Sequence, residues 1–347
     1  MSANLAIKNG KHSFYSLREN AWHGLGQVVE VPVNDLEAQR LAGLDWEVEL
    51  VPLCRNDMVP VDTHLAATRS DTKATLGIVG AGYTPVQNAE LFEWLRGLEA
   101  IGKVTIETAG ALGAGEIVWA LARCDDLKYD INGDIHHSYM SLTNGHSGNH
   151  KLLLTPTDTR QCCANTTAMI VSQDRNGTVA SGWELLHRRG IHRNLEIIQN
   201  LYAETAKAHK ITKEVMELLA SKPITDAMVK RMFLEPFIPK ALIVPEGQEA
   251  PAEANDETVR AALIRQEREE RLNEILASAT CNTANAGSIY SIYQAVTEFA
   301  EHDLLVRPKI ATDRGIMEAR FKSANIDGRG VEIKRSAVKL ALELAKA

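Results

Sequence analysis

Residues 136–171 read HHSYMSLTNGHSGNHKLLLTPTDTRQCCANTTAMIV, and their reading decides the fold class. Two runs with strand character, Tyr139 to Thr143 and Lys151 to Thr155, flank a Gly/Ser/Asn/His turn, which is the pattern of a hairpin. The continuation, TPTDTRQCCANTTAMIV, reads as an extended segment passing into a helix or a buried run. Cations, histidines and a cysteine pair are all gathered here. Nucleic-acid binding, metal binding and nucleophilic catalysis therefore begin as three uses of one place.

Upstream, the same short-strand pattern recurs. Asp45 to Val51 alternates acidic with apolar side chains, as a half-buried strand does, and His64 to Thr68 and Thr75 to Val79 form two more strands around the turn Ser70 to Lys73. VTIETAGALGAGEIVWALARC predicts strand, glycine-rich turn and strand. Gly110, Gly113 and Gly115 are not a dinucleotide fingerprint, because a strand rather than a phosphate-binding helix follows them. Helices are expected over Leu36 to Gly43, capped by Asn34 or Asp35, and over Ala89 to Gly102, capped by Asn88 with Leu91, Trp94, Leu95 and Leu98 on one face. Six or seven strands joined mainly by short turns, with helices that do not alternate regularly, predict an α+β protein. Its sheet should be mainly antiparallel with packed helices, followed by a helical C-terminal region.

The first residues, through Asn20, read as polar and loosely held, with Trp22 as an anchor for this arm. The expected organisation is an α+β sheet domain over 1–182, a helical extension over 183–245, an acidic linker over 246–256 and a helical region over 257–347. The extension should be helical from Trp183 to Lys222, with His187, Arg188, Arg189, His192 and Arg193 grouped at its start. Basic charge there opposes the helix dipole, so the cluster asks for a reason beyond helix stability.

Composition narrows the classes. In 347 residues, 45% hydrophobic and 24% charged side chains describe a chain able to bury a large core. Five cysteines, two of them adjacent, make no even disulfide framework, and MSANLAIKNGKHSFYS has no apolar signal core, so a cytoplasmic protein with reduced thiols is expected. No apolar run approaches the roughly 20 residues a membrane span needs. A net charge of −7 argues against a uniformly basic nucleic-acid binder. The sign is uneven, however, with acid crowded from Glu246 to Glu274 and base enriched from Lys151 to Lys213 and from Arg307 to Lys346.

AWHGLGQ, GYTPVQNAELFEWL, YMSLTNGHSG, TPTDTRQCCANT and SIYSIYQAVTEFAEH, in that order along the chain, resemble a phage- and plasmid-borne family of conserved proteins of unknown function. Arg160, Cys162 or Cys163, Asn165 and Thr166 match its arginine, cysteine and Asn-Thr pair. The resemblance implies mobile-element biology: replication, recombination or interference with a host system. The order of helix, three strands and helix is also similar to single-strand annealing proteins of the Rad, RecT and Redβ types, a likeness of topology, which does not establish function.

Three chemistries compete. Single-stranded DNA needs spaced cations, for which Lys151, Arg160, Arg175, Arg188, Arg189 and Arg193 are the candidates, with Tyr139 or Trp183 for stacking. Replacing Arg160, Arg188 and Arg189 together is expected to weaken DNA binding and leave the fold intact. A cysteine enzyme would use Cys162 or Cys163, a base among His146, His150 and His187, and Asn165 as orienter. Zinc would draw His136, His137, His146 or His150 together with a cysteine; His146 and His150 have a four-residue offset, but they lie in a Gly-rich turn where helical spacing has no meaning. The expected function is therefore non-catalytic, without cofactor or metal: single-strand binding or annealing by a homo-oligomer, since one acidic subunit offers too little positive surface. A module that binds a host or phage protein partner, favoured by the acidic segment 246–274, is the alternative.

Overall fold

The computed structural model describes residues 4–21, 24–162, 166–167, 170, 182–191, 195–229, 231–232, 284–303 and 329–346, with scattered helical positions between 263 and 278 and at 316, 319 and 323. Two compact units emerge. One comprises Ser2–Tyr129 and His136–Lys210, the other Asp130–Ile135 and Ile211–Ala347.

The larger unit holds β1 (Ile7–Lys8), β2 (Lys11–His12), β3 (Phe14–Leu17), β4 (Gln27–Val29), α1 (Asp35–Leu41), β5 (Val48–Cys54), β6 (Pro60–Arg69), β7 (Thr75–Gly80), α2 (Asn88–Ala100), β8 (Val104–Leu112), β9 (Ile117–Ile131), β10 (Asp134–Gly145), β11 (Leu152–Thr157) and β12 (Trp183–Leu185), although the β9–β10 tip is counted with the smaller unit. Seven strands form one sheet in the order β12-β11-β10-β9-β8-β3-β4, and β5-β6-β7 form a second. The α+β expectation is met. All the pairings described in both sheets are antiparallel except β3 with β4, which is parallel.

Two expectations need correction here. The N-terminal residues are not loosely held: Phe14, Tyr15 and Leu17 are fully buried, and β3 lies between β8 and β4. A four-residue run with both faces covered cannot show the alternation that marks a half-exposed strand. Trp183 likewise does not open a helix. It pairs with Leu154 in β12, and the helix begins only at Leu195.

Local chemistry explains the helix ends. The Asn34 side chain accepts from the Glu37 amide at 2.9 Å, and Gly43 takes a positive φ just past α1. In α2 the cap is Gln87 rather than the expected Asn88, with the Glu90 carboxylate accepting from the Gln87 amide at 2.9 Å in a capping box. Leu91, Phe92, Trp94, Leu95 and Leu98 then face the sheet. Gly110 is required by packing, since a Cβ there would stand 2.5 Å from the Trp119 ring. The glycine-rich run is a strand hairpin, as its sequence predicts.

The outer edge of β5 is guarded. Its Val48 amide donates to Gln87 Oε1 at 2.8 Å, and Gln87 Nε2 donates back to the Val48 carbonyl at 3.1 Å, so the side chain substitutes for a neighbouring strand. By alternation, residues 50 and 52 present their backbone to the same edge, and position 52 is a proline without an N–H. Proline at an open edge resists pairing with another chain. Pro52→Val is therefore expected to make the protein self-associate with rising concentration in sedimentation velocity. A variant sedimenting like the parent at every concentration would remove the guard role.

The smaller unit holds the end of α3 (Leu195–Ser221), then α4 (Asp226–Val229), α5 (Ile289–His302) and α6 (Arg329–Lys346). Ser288 caps α5, and Asn285 holds the β9–β10 tip through the Ile131 carbonyl at 2.6 Å and Asn132 at 2.8 Å. The C-terminal region is helical, as expected, with α6 running over Arg329–Lys346. The 246–256 linker and Trp22 lie outside the described residues. Among the described residues no helix is long and apolar enough to cross a membrane.

Candidate functional site

Strand β10 is the hub on which the distinctive sequence stretches meet. Successive side chains point to opposite faces, so Met140, Leu142 and Asn144 share one face and Tyr139, Ser141 and Thr143 the other. On the α2 face, Asn144 Nδ2 donates to the Val86 carbonyl at 2.9 Å, and His146 Nε2 lies 3.0 Å from Asn88 Oδ1. The Asn88 amide nitrogen already donates to the Leu44 and Trp46 carbonyls at 3.2 and 3.0 Å. Its Oδ1 is therefore an acceptor, which assigns the proton of His146 to Nε2 and leaves Nδ1 as a lone pair. That lone pair, Asn144 Oδ1 and His187 Nε2 are buried without a hydrogen-bond partner among the described residues. Burial, with smaller contributions from His187 and Arg69, pushes the His146 pKa down to about 3.

The opposite face is polar and closed. Gln161 is fully buried, accepting from Ser141 Oγ at 2.7 Å and donating to Thr143 Oγ1 at 3.2 Å and Thr167 Oγ1 at 2.9 Å. Thr108 Oγ1 donates to its carbonyl and accepts from Trp119 Nε1 at 3.3 Å. Beside it, Arg160 Nε meets Glu107 at 3.2 Å, and Arg160 Nη2 donates to Ser16 Oγ at 2.7 Å and, at 3.4 Å each, to the Leu17 and Glu19 carbonyls. Glu107 also pairs with Arg123 at 3.1 Å. The two stretches GYTPVQN and TDTRQC thus spend their polar groups on building opposite faces of one strand.

The geometry bears on the other chemistries. Cys162 is buried on the polar face with its amide on Thr166 Oγ1 at 2.8 Å, whereas His146 lies on the other face, against Trp46. Cys163 and Asn165 lie outside the described residues. His136 stacks on Tyr129, and His150 sits 3.4 Å from Ser147 Oγ. Burial, then the Arg123 charge, lowers the His137 pKa. Among the described residues no three His, Cys, Asp or Glu side chains converge to hold a metal ion.

The candidate cations divide into two places. Lys151 enters β11 beside the end of β12 and pairs with Glu184 across the two strands. Arg188 and Arg189 follow on the exposed turn at that same end. Arg160 lies beyond the other end of β11, about 17 Å of strand away, and is bound into the polar face. Arg175 and Arg193 lie outside the described residues.

One constellation escapes sequence reasoning. Ser138 Oγ donates to Asp158 at 2.9 Å and lies 3.0 Å from His209 Nδ1, while His209 meets the edge of the Tyr129 ring. Burial around its carboxyl raises the Asp158 pKa, against the Ser138 hydrogen bond and the charges of His136 and His209. Its members come from β9, β10, the loop after β11 and α3, so no spacing announces them. Asn144 did carry a signal: a polar residue at the apolar parity of a core strand demands a buried partner.

No curated protein and no solved structure matches the chain. The model of the domain of unknown function DUF932 matches residues 75–321, from the start of β7 through the hub, the arginine turn and α5. That span covers well over half of the sequence, and the chain belongs to the DUF932 family.

Proposed function

We propose that this protein is a non-catalytic, cytoplasmic factor of phage or plasmid DNA metabolism that captures single-stranded nucleic acid, as in annealing. The observation that carries the reading is the Arg188–Arg189 pair: adjacent, exposed, and in no ion pair among the described residues. Lys151 is the third member of this edge, held in reserve by Glu184. Backbone phosphates take up such cations with release of counterions, without needing a base-specific contact. Because the whole chain carries −7, a second copy must extend the positive edge, so the working form is a homo-oligomer.

A salt series on a fluorescent single-stranded oligonucleotide tests this. Arg188→Ala/Arg189→Ala is expected to weaken binding and flatten the log–log salt slope by about 1.4, at about 0.7 per lost phosphate contact. Glu184→Gln frees Lys151 and is expected to tighten binding severalfold at low salt. Absence of binding by the parent protein at low salt sinks the proposal.

A protein-interaction module is the second reading, and one feature favours it. The β5–β6 hairpin runs on past its pairing with β7, with Met58 and Val59 exposed at that outer part and Val51 exposed within the paired part.

A further inference from the structure

The two exposed arginines sit between two buried anchors. His187 and Ile191 are 8% and 4% exposed, whereas Arg188 and Arg189 between them face solvent. The His187 ring stacks on Tyr83, with centroids 4.8 Å apart and planes 24° apart. Its Nδ1 lies 3.3 Å from the Thr84 carbonyl, an acceptor only, so Nδ1 carries the proton. The backbone strengthens the contact, with the Thr84 amide donating to the His187 carbonyl at 3.0 Å. Tyr83 is tied in turn to β10 through its hydroxyl on the Gly145 carbonyl at 3.2 Å. On the far side, the Ile191 amide donates to the Arg188 carbonyl at 3.1 Å, and Gly190 takes φ +96°, which closes the turn.

We infer that His187 is the positioning residue of an arginine tip: its buried imidazole locks the turn to the Tyr83–Thr84 segment, so that Arg188 and Arg189 meet an anionic strand without first being ordered. The inference rests on the proposed function for its ligand but not for its geometry. Two guanidinium groups on a wandering loop bind a phosphate backbone weakly, because ordering the loop consumes interaction energy. A tip clamped at both ends has already lost that freedom. The imidazole fits the slot in one tautomer, since Nε2 is buried opposite with no partner among the described residues.

Trypsin reads the clamp directly, because it cuts after Arg188 and Arg189 only when the local chain can open. His187→Ala is expected to speed cleavage at this turn about tenfold, with far-UV circular dichroism unchanged, and to weaken oligonucleotide binding about tenfold. In His187→Asn the side-chain amide can reach the Thr84 carbonyl as Nδ1–H does, and both readouts should return to within about twofold of the parent. If the alanine variant fails to fold, His187→Leu fills the slot without the donor and is read in the same way. Parent-like cleavage in the variant lacking the donor, or an asparagine variant cleaved as fast as the alanine one, overturns the inference. A parent protein that binds no oligonucleotide refutes the functional reading alone, while the cleavage series still decides the clamp.

Discussion

Arg160→Ala is expected to lower the unfolding free energy by about 3 kcal/mol, read by urea denaturation, while Arg188→Ala/Arg189→Ala should stay within about 0.5 kcal/mol of the parent. The difference follows from what each guanidinium touches. Arg160 is 19% exposed and holds Glu107, Ser16 and the Leu17 and Glu19 carbonyls, which joins the segment after β11 to the strand β3 at the far side of the sheet. Its removal leaves Glu107, 6% exposed, with Arg123 alone at 3.1 Å, and strips a donor from the neighbouring oxygens. Unsatisfied buried acceptors cost about 1–3 kcal/mol each, partly recovered where water enters. Among the described residues, the Arg188 and Arg189 side chains have no such partners. Combining all three replacements would therefore confound loss of fold with loss of binding, and the expectation of an intact fold applies to the pair only. A loss below about 1 kcal/mol for Arg160→Ala would show that the polar face is solvated rather than structural.

Fold class was legible because short turns of recognisable residue type punctuate the larger unit and runs such as β6 and β8 are rich in β-branched residues, even where both faces are covered. Asn34, the turn at Ser70–Lys73 and the hairpins at Gly113 and Gly145 all announce themselves by residue type. β3 was not legible, since FYSL is covered on both faces and carries no period. β12 failed for another reason: three residues are too few for a pattern, and their pairing partner lies some thirty residues away. The site split along similar lines. Lys151, Arg188 and Arg189 were chosen by charge as candidates, and all three are exposed. Arg160 has the same charge in the sequence, and only the fold reveals that Glu107 and Ser16 claim it. The Asp158–Ser138–His209 cluster and the His187 slot depend on contacts between distant segments, which residue spacing does not encode.

Acid is expected to weaken the protein well above the range in which carboxylates titrate, with His146 as the main cause. Its ordinary pKa is 6.5, and burial against Trp46 and Asn88, with smaller contributions from the charges of His187 and Arg69, holds it near 3 in the fold. Below pH 6.5 the unfolded chain takes up a proton that the folded chain refuses, so stability falls as pH falls, by up to about 1.4 kcal/mol per pH unit. This contribution is fully present above the unfolded value and is lost on the way down to the folded one. Burial also lowers the His187 pKa, so its sign is the same. Asp158 and Glu99 act oppositely, because burial raises both and the fold binds their protons more readily. Comparison with His146→Gln isolates the term, because the glutamine Nε2 can keep the donor to Asn88 Oδ1 but cannot titrate. Between about pH 6.5 and 4.5 the parent is expected to lose about 2.5 kcal/mol more than this variant, read as the divergence of urea midpoints. Parallel curves would mean that His146 is protonated in the fold and that its Nδ1 has found an acceptor, which would displace the tautomer assigned from Asn88.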